Sequence, residues 1–286
     1  MVMILITGAS GNVGSEVLRQ AVAAGLKVRA AYQTPDKAAK APSGVETVLV
    51  DFSKPATLAP ALKGIDKLFL VGPPTADLPA LEANVVAEAK RAGLPHIVKL
   101  SAMGGRAAIF PGMHAESEDR IKTSGVAYTL LPANGFMQNF ILYDGPTIRS
   151  QNAFYATVGD GAVSHIDIRD IAAVAVRVLA GKGHEGKTYE LTGPEALTNS
   201  QAAEKISRAI GRKINYMNLT PADYRKAMLS AGVPEWSADA LIDLQRLYRE
   251  GGASRVTSTV EQITGRKATT FDQFLRDHAA AFQAAA

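Results

Sequence analysis

Gly8, Gly11 and Gly14 follow directly on the apolar run Met3-Ile4-Leu5-Ile6-Thr7, and a helix-like stretch continues from Ser15 to Val22. A strand, a glycine turn and a helix in that order bind the pyrophosphate of a dinucleotide. Gly8 permits the sharp turn. Gly11 lets backbone N–H groups approach the phosphates with no Cβ in the way, and Gly14 lets the helix pack closely on its strand. The positive end of the helix then faces the anion. Ala9, Ser10, Asn12 and Val13 complete the turn and count with the glycines as cofactor contacts. The spacing is G-x-x-G-x-x-G rather than G-x-G-x-x-G, and the competing reading is a glycine turn that holds no ligand.

Such a turn needs a sheet to carry it. Short apolar runs at Val2–Thr7, Lys27–Tyr32, Glu46–Val50, Lys67–Val71, His96–Ser101 and Ala127–Leu131 read as strands. Helical spacing lies between them, clearest in Leu78–Ala92 and Ala115–Ser124. Gly25, Gly93 and Gly125 each stand just past a last helical turn. Strand–helix alternation at this interval predicts a Rossmann-type α/β fold, a doubly wound parallel sheet with helices on both faces and right-handed crossovers. After Leu131 the rhythm changes. Ile168–Leu179 reads as a helix and Thr188–Leu191 as a strand. Ser200–Ile210, Pro221–Ala231, Pro234–Arg249 and Thr270–Phe282 read as mostly helical. The expected division is a dinucleotide-binding domain over residues 1–150 and, over 151–286, a mixed region that adds to the sheet edge and forms a smaller, mainly helical lobe. A ligand is expected between the lobes, at the carboxyl ends of the strands.

The second strand ends at Gln33-Thr34, without the Asp or Glu that binds a ribose 2′-hydroxyl. Asp36, after Pro35, suits helix capping. A missing carboxylate removes repulsion against a 2′-phosphate, which Gln33, Thr34 and Lys37 are placed to contact, so NADP is favoured over NAD. An arginine near position 33, the stronger NADP marker, is absent.

The whole chain sets limits. Its 286 residues, 47% hydrophobic and 20% charged, suit a globular protein with a sizeable core. The absence of cysteine excludes disulfides, thiolate metal sites and a cysteine nucleophile. The net charge of +4 is spread evenly, with no basic run, so a nucleic-acid face is not indicated. No stretch approaches the ~20 apolar residues of a membrane span, and the apolar N-terminal run is too short for a signal peptide. The expectation is a cytoplasmic protein. The histidines are scattered and H-E-x-x-H is absent, which argues against a catalytic metal.

Other segments carry a resemblance: Leu49-Val50-Asp51-Phe52, Leu70-Val71-Gly72-Pro73-Pro74, Asn84, Lys99-Leu100-Ser101-Ala102, Asn134-Gly135-Phe136-Met137-Gln138-Asn139, His165 to Ala172 and Gly232 to Trp236. Together with the glycine turn they resemble the NmrA-like atypical short-chain dehydrogenases, a group with NADPH-dependent quinone oxidoreductases, triphenylmethane dye reductases and redox-sensing regulators. The resemblance implies cofactor contacts from the Gly8–Gly14 turn, from Asp51 and Phe52 near the adenine, from Gly72 and Pro73 beside the ribose and nicotinamide, and from Ser101 near the nicotinamide. One departure is Pro132-Ala133, where the family often has Arg-Pro.

Typical short-chain dehydrogenases use Tyr-x-x-x-Lys to pass a proton to the substrate. None of the 8 tyrosines here has lysine four residues later. His114 and Glu118 stand at the two positions, as in NmrA-like proteins generally. Electron-poor acceptors, quinones or cationic dyes, do not require that pair, because holding the nicotinamide close to the acceptor supplies most of the catalysis. His114, with an unperturbed pKa near 6.5, or water then serves as proton source; the alternative is a helix-start histidine paired with Glu118. Ser101 is read as a hydrogen-bonding group for substrate or nicotinamide, or as a strand-end hydroxyl satisfied by the backbone. Asn134, Phe136 and Met137 are candidates for the acceptor pocket, the last two equally for plain core. His165 and Trp236 read more readily as packed side chains, Asp167 and Asp170 as capping groups, and Tyr248 receives no role. The expectation is an NAD(P)H-dependent oxidoreductase acting on a small-molecule electron acceptor. The alternative is an NADP(H)-sensing protein that acts through a partner, and a sugar-nucleotide epimerase ranks last. Oligomeric state is left open, a homodimer included.

Overall fold

The computed structural model describes residues 2–283. In chain order it contains β1 (Met3–Ile6), α1 (Asn12–Ala23), β2 (Lys27–Tyr32), α2 (Pro35–Ala38), β3 (Glu46–Leu49), α3 (Leu58–Leu62), β4 (Lys67–Leu70), α4 (Leu78–Arg91), β5 (His96–Ala102), α5 (Ile109–Thr123) and β6 (Ala127–Ala133). There follow α6 (Asn139–Leu142), α7 (Gly145–Gln151), β7 (Ala153–Ala156), α8 (Ile168–Ala180), β8 (Lys187–Thr188), α9 (Asn199–Ile210) and β9 (Asn215–Asn218). The chain closes with α10 (Pro221–Ser230), α11 (Glu235–Arg249), α12 (Thr259–Thr264), α13 (Phe271–Asp277) and α14 (Ala279–Phe282).

Contacts divide the chain into two compact units. One comprises Met1–Ala102, Met113–Pro132 and Ile168–Glu190, and the other Met103–Gly112, Ala133–Asp167 and Leu191–Ala286. The units interleave, so a division at residue 150 does not follow the contacts. The physical reason is local. α8 lies far along the chain yet packs on α1 and against β4 and β5, which returns that stretch to the first unit.

The first unit is built on a sheet of order β3-β2-β1-β4-β5-β6-β8. The pairs of β1 with β2 and β4, of β2 with β3, of β4 with β5 and of β6 with β8 are all parallel. This is the doubly wound arrangement, with the order reversing between β1 and β4 beside the glycine turn. The central strands β4 and β5 are buried along nearly their whole length, as strands covered on both faces must be. α1 buries Val13, Gly14, Val17, Leu18 and Ala21, a single helical stripe. Under the sheet, Leu5, Leu68, Leu70 and Ile97 pack with Val85, Val86 and Ala89 of α4 and Ile121 of α5. The glycine stops hold: Gly25, Gly93 and Gly125 all have positive φ (70°, 66° and 86°).

In the second unit, Met137, Phe140, Ile148 and Phe154 pack with Ala202, Ala203 and Ile206 of α9 and with Phe271, Phe274, Leu275 and Phe282. A small parallel sheet pairs Ala153–Ala156 with Asn215–Asn218. The sequence does not announce it: Asn215–Asn218 has three exposed residues of four, so no alternation marks it. Three expectations are corrected here. The strand at Thr188–Leu191 shrinks to Lys187–Thr188 plus a single bridge between Ala133 and Leu191. The helix over Thr270–Phe282 breaks at His278, whose φ of −122° is not helical. α5 begins at Ile109, earlier than Ala115, and carries Pro111 and Gly112 within it. No helix among the described residues is long and apolar enough to cross a membrane.

Asp144, at the start of α7, gives a stability prediction. Burial raises its carboxyl to about 7, against an ordinary value near 3.9 in an unfolded chain. Between those values the folded state holds a proton that the unfolded state lacks, so stability falls as pH rises from about 4 to about 7. Asp144→Asn should abolish this fall. Its thermal midpoint should exceed that of the wild type at pH 8, by on the order of 2 kcal/mol in stability, and the difference should close at pH 4. Thermal unfolding by circular dichroism at the two pH values checks it.

Candidate active site

The glycine turn is shaped by contacts that side chains would destroy. Gly8 has φ +62°, and a Cβ on it would stand 3.2 Å from Val71 Cβ. A Cβ on Gly14 would fall 2.1 Å from the Gly8 carbonyl oxygen and 3.0 Å from that of Thr7. The turn is closed by the Gly11 N–H donating to the Gly8 carbonyl (2.8 Å), and Gly11 caps α1 with no side-chain hydrogen bond. α1 has no acidic residue in its first turn, so its leading N–H groups meet no competing carboxylate. Below the turn, the buried Thr7 hydroxyl sits near the Phe69 (3.0 Å) and Val71 (3.1 Å) carbonyls and accepts from the Val71 N–H (2.8 Å). One hydroxyl thereby ties the end of β1 to the end of β4. This cradle fits a dinucleotide pyrophosphate: a bare turn, an open helix N-terminus and the strand order reversing beside it.

Gln33, Thr34 and Lys37 are exposed beyond the end of β2, with Thr34 at the start of α2. Asp51 is anchored in its own turn. Its Oδ1 accepts from the Ser53 N–H (2.9 Å) and hydroxyl (2.6 Å), and Oδ2 pairs with Lys54 (3.1 Å). The Ser53 hydrogen bonds, chiefly, hold its carboxyl below the usual range. The carbonyl of half-buried Phe52 accepts from Asn84 Nδ2 (2.8 Å), fixing the loop after β3 to α4. Gly72 lies at the start of the loop after β4, where a Cβ would meet Leu78 and stand 2.8 Å from Glu82 Oε1. Pro73 beside it is exposed.

Glu82 belongs to a centre that sequence reasoning missed. Lys99, fully buried on β5, donates to Glu82 Oε1 (2.8 Å), to the Leu100 carbonyl (3.0 Å) and to His114 Nδ1 (3.3 Å). All three ammonium protons are thereby used. The available signal was a lysine inside the apolar run His96-Ile97-Val98-Lys99-Leu100, which a buried strand tolerates only with a partner.

This centre corrects the expected behaviour of His114. An ammonium can only donate, so His114 Nδ1 accepts and the ring proton sits on Nε2. Burial, and then the Lys99 charge, push His114 well below its ordinary 6.5. It is a neutral imidazole at pH 7 and not a reservoir of imidazolium. Glu118 is engaged elsewhere. Its Oε1 accepts from the buried Ser101 hydroxyl (2.5 Å), and Oε2 lies 3.4 Å from Lys122. Ser101, with its proton committed to Glu118, presents lone pairs only. Ser101, Lys99, His114 and Glu118 all belong to the first unit, as do the glycine turn, Asp51, Phe52, Gly72 and Pro73.

Asn134, Phe136 and Met137 belong to the second unit. Asn134 is buried and fully engaged. Its Nδ2 donates to Ser164 Oγ and to the Ala253 carbonyl (both 2.8 Å), and its Oδ1 accepts from the Gly135 N–H (2.9 Å). Met137 is core, 1% exposed. Phe136 alone of the three keeps partial exposure. Among the described residues no group of three or more His, Asp or Glu side chains is placed to hold a metal ion. An open groove of about 390 Å³ between α10 and α11 is lined by Arg225, Asp239, Asp243 and Arg246, whose charges pair with one another.

A Rossmann sheet with a bare glycine turn at its reversal point defines an NAD(P)-binding protein. A family model described as NAD(P)H-binding matches residues 8–182. The chain is 39% identical over 287 residues to an NAD(P)H azoreductase of Xenophilus azovorans, covering 99% of this chain and all of that one. It is 34% identical over 274 residues to quinone oxidoreductase 2 of Escherichia coli, covering 94% and 96%. Among solved structures, the NADPH-dependent quinone oxidoreductase of Escherichia coli complexed with NADPH superimposes with a TM-score of 0.89 at 31% identity, covering 97% of this chain and 100% of that one. The chain belongs to the NAD(P)H-binding, NmrA-like family of atypical short-chain dehydrogenases/reductases. It is an NAD(P)H-dependent oxidoreductase.

Two substitutions test this geometry. Gly14→Ala should weaken NADPH binding by at least about tenfold in a fluorescence titration, because α1 must move off the turn to admit a Cβ. Lys99→Met should cost about 3–5 kcal/mol in urea unfolding by leaving Glu82 buried without its cation, and adding Glu82→Leu should recover much of that loss.

Proposed function

We propose that the protein uses NADPH in preference to NADH to reduce an electron-poor acceptor, a quinone or a dye, without a Tyr-x-x-x-Lys proton relay. The observation that carries this reading is the Lys99 centre. It supplies a neutral His114 and a Ser101 whose proton is already donated, in place of an acid poised to protonate an alkoxide. Relatives named as an azoreductase and a quinone oxidoreductase support the acceptor class. The exposed Gln33, Thr34 and Lys37, with no carboxylate at the end of β2, support the preference for a 2′-phosphate.

In this reading the glycine turn and the N-terminus of α1 hold the pyrophosphate. Asp51 and Phe52 border the adenine, and Gly72 and Pro73 border the ribose and nicotinamide. The bound cofactor supplies a hydride. Ser101 Oγ, held by Glu118, accepts a hydrogen bond from a carboxamide N–H and so orients the nicotinamide. Lys99 holds His114 as the tautomer protonated on Nε2. Hydride delivery to a quinone or a cationic dye yields a delocalised or neutral product, so positioning outweighs acid catalysis.

Turnover of NADPH with a naphthoquinone or a triphenylmethane dye, compared with NADH, tests the reading. Absence of acceptor-dependent oxidation across such a panel overturns it, and tight NADPH binding with no turnover would favour the cofactor-sensing alternative. Because His114 titrates well below 6.5, kcat should show no imidazole limb between pH 6 and pH 8. Glu118→Gln should lower kcat/KM by on the order of tenfold through loss of the charge-assisted bond to Ser101.

A further inference from the structure

The connection between β5 and α5 makes a set of contacts that the mechanism leaves without a task. It runs from Met103 to Ala108, between the strand that ends beyond Ser101 and the helix that bears His114. Two consecutive glycines, Gly104 (φ +115°) and Gly105 (φ +56°), turn it. A Cβ on Gly104 would stand 2.8 Å from Leu247 Cδ2 and 3.2 Å from Pro111 Cγ, so the turn lies close against α11 and the first turn of α5.

That first turn is poorly made for a helix start. Ala108, the residue before it, has no side-chain oxygen to accept a leading N–H. Gly112 is a poor helix former, and its N–H is already spent on the Ala108 carbonyl (2.8 Å). The missing cap comes from α11. Asp243 Oδ2 accepts from the Ile109 N–H (2.7 Å), which places a negative group where the helix dipole favours one. Arg246 completes the arrangement. Its Nη2 donates to the Ala107 carbonyl (2.7 Å), its Nε to Asp243 Oδ1 (3.0 Å) and its Nη1 to Glu250 Oε2 (2.7 Å). A partly exposed ion pair contributes little by itself. Here each partner also grips a backbone group of the connection, on either side of Ala108. The connection, the first turn of α5 and α11 all lie within the second unit, and the boundary falls inside α5, after Gly112. His114 stands within the first two turns of that helix, so the grip reaches it along the helix itself.

We propose that Asp243 and Arg246 clasp the start of α5 and are positioning residues for His114. The proposal deepens the reductase reading and rests on it for the part that the clasp plays in turnover. Without the clasp the first turn of α5 frays, and His114 leaves its place against Lys99 Nζ and meets water. The charged groups around that ring are Lys99 on β5, Glu82 of α4 behind it, and Glu118 on α5, which is bonded to Ser101. Hydration relieves the burial that holds the imidazole neutral, so its pKa rises toward the ordinary value.

The test compares the full chain as wild type, Asp243→Ala, Asp243→Asn and Arg246→Met. The His114 resonance, assigned with His114→Gln, is followed by NMR between pH 6 and pH 8, beside NADPH binding by fluorescence and turnover with a naphthoquinone. Wild-type His114 should show no titration in this range. In Asp243→Ala it should titrate near 6.5, with kcat/KM for the quinone lowered about tenfold and NADPH affinity within about twofold of wild type. Arg246→Met should move both readouts in the same direction by less. Asp243→Asn keeps an oxygen for the Ile109 N–H, so His114 should stay silent and kcat/KM should hold within about threefold of wild type. Titration of His114 in the wild type, or its silence in Asp243→Ala whatever the loss of stability, overturns the clasp. A loss in Asp243→Asn as large as in Asp243→Ala overturns it as well. The expected His114 titrations in a protein that oxidises no NADPH sustain the clasp and defeat the reductase reading instead.

Discussion

A buried lysine organises the candidate site in the first unit. Lys99 spends its three protons on a carboxylate of α4, a carbonyl of its own strand and an imidazole of α5. An ammonium inside a parallel sheet is tolerated only with such complete pairing, and the pairing in turn fixes what surrounds it. Glu82 is held where Gly72 must lack a side chain, so the same carboxylate shapes the loop after β4. His114 is held as a neutral ring of one tautomer, while on the same helix Glu118 takes the Ser101 proton. Ion pairing, loop shape and the His114 tautomer follow from one buried cation, while the neutral state of His114 owes most to its own burial. Such a pair contributes less to stability than apolar packing would, and its value lies in the geometry that it enforces.

The cofactor cradle depends on a different constraint, the contact of two pieces of backbone. α1 approaches its own turn so closely that only glycine fits at position 14, and that approach aims the helix N-terminus along the end of β1. Thr7 fastens the same strand end to β4 with a single hydroxyl, which joins the two strands on either side of the reversal point. Affinity for an anion then follows from N–H groups that the fold leaves open. β1 pairs with β4, and α8 packs on α1 from far along the chain.

The legibility of the site varied with how local its physics is. The glycine turn, the strands of the first unit and the helix stops were readable because each rests on residues within a few positions of one another. The His114 expectation went astray because a pKa depends on what packs around the ring, and Lys99 is 15 residues away in sequence. Asn134 and Met137 were grouped with Phe136 by adjacency, yet a buried amide network and a core cluster absorb the first two. Tyr248 looked idle on its helix, and only the fold shows that its hydroxyl packs, with His165, on the bare face of Gly135.

By itself the sequence determined the fold class, the glycine turn after β1 and the family, because periodicity, glycine placement and short motifs are properties of contiguous residues. It also determined, through the absent carboxylate after β2 and the missing tyrosine–lysine spacing, which chemistry to expect. Only the tertiary structure decided where the chain divides, since α8 and β8 join the first unit from beyond residue 150. It alone decided the tautomer of His114, the direction of the Ser101 hydrogen bond and the meeting of His165 with Tyr248. Each of these depends on desolvation and on contacts between distant segments, and neither is written in the order of neighbouring residues.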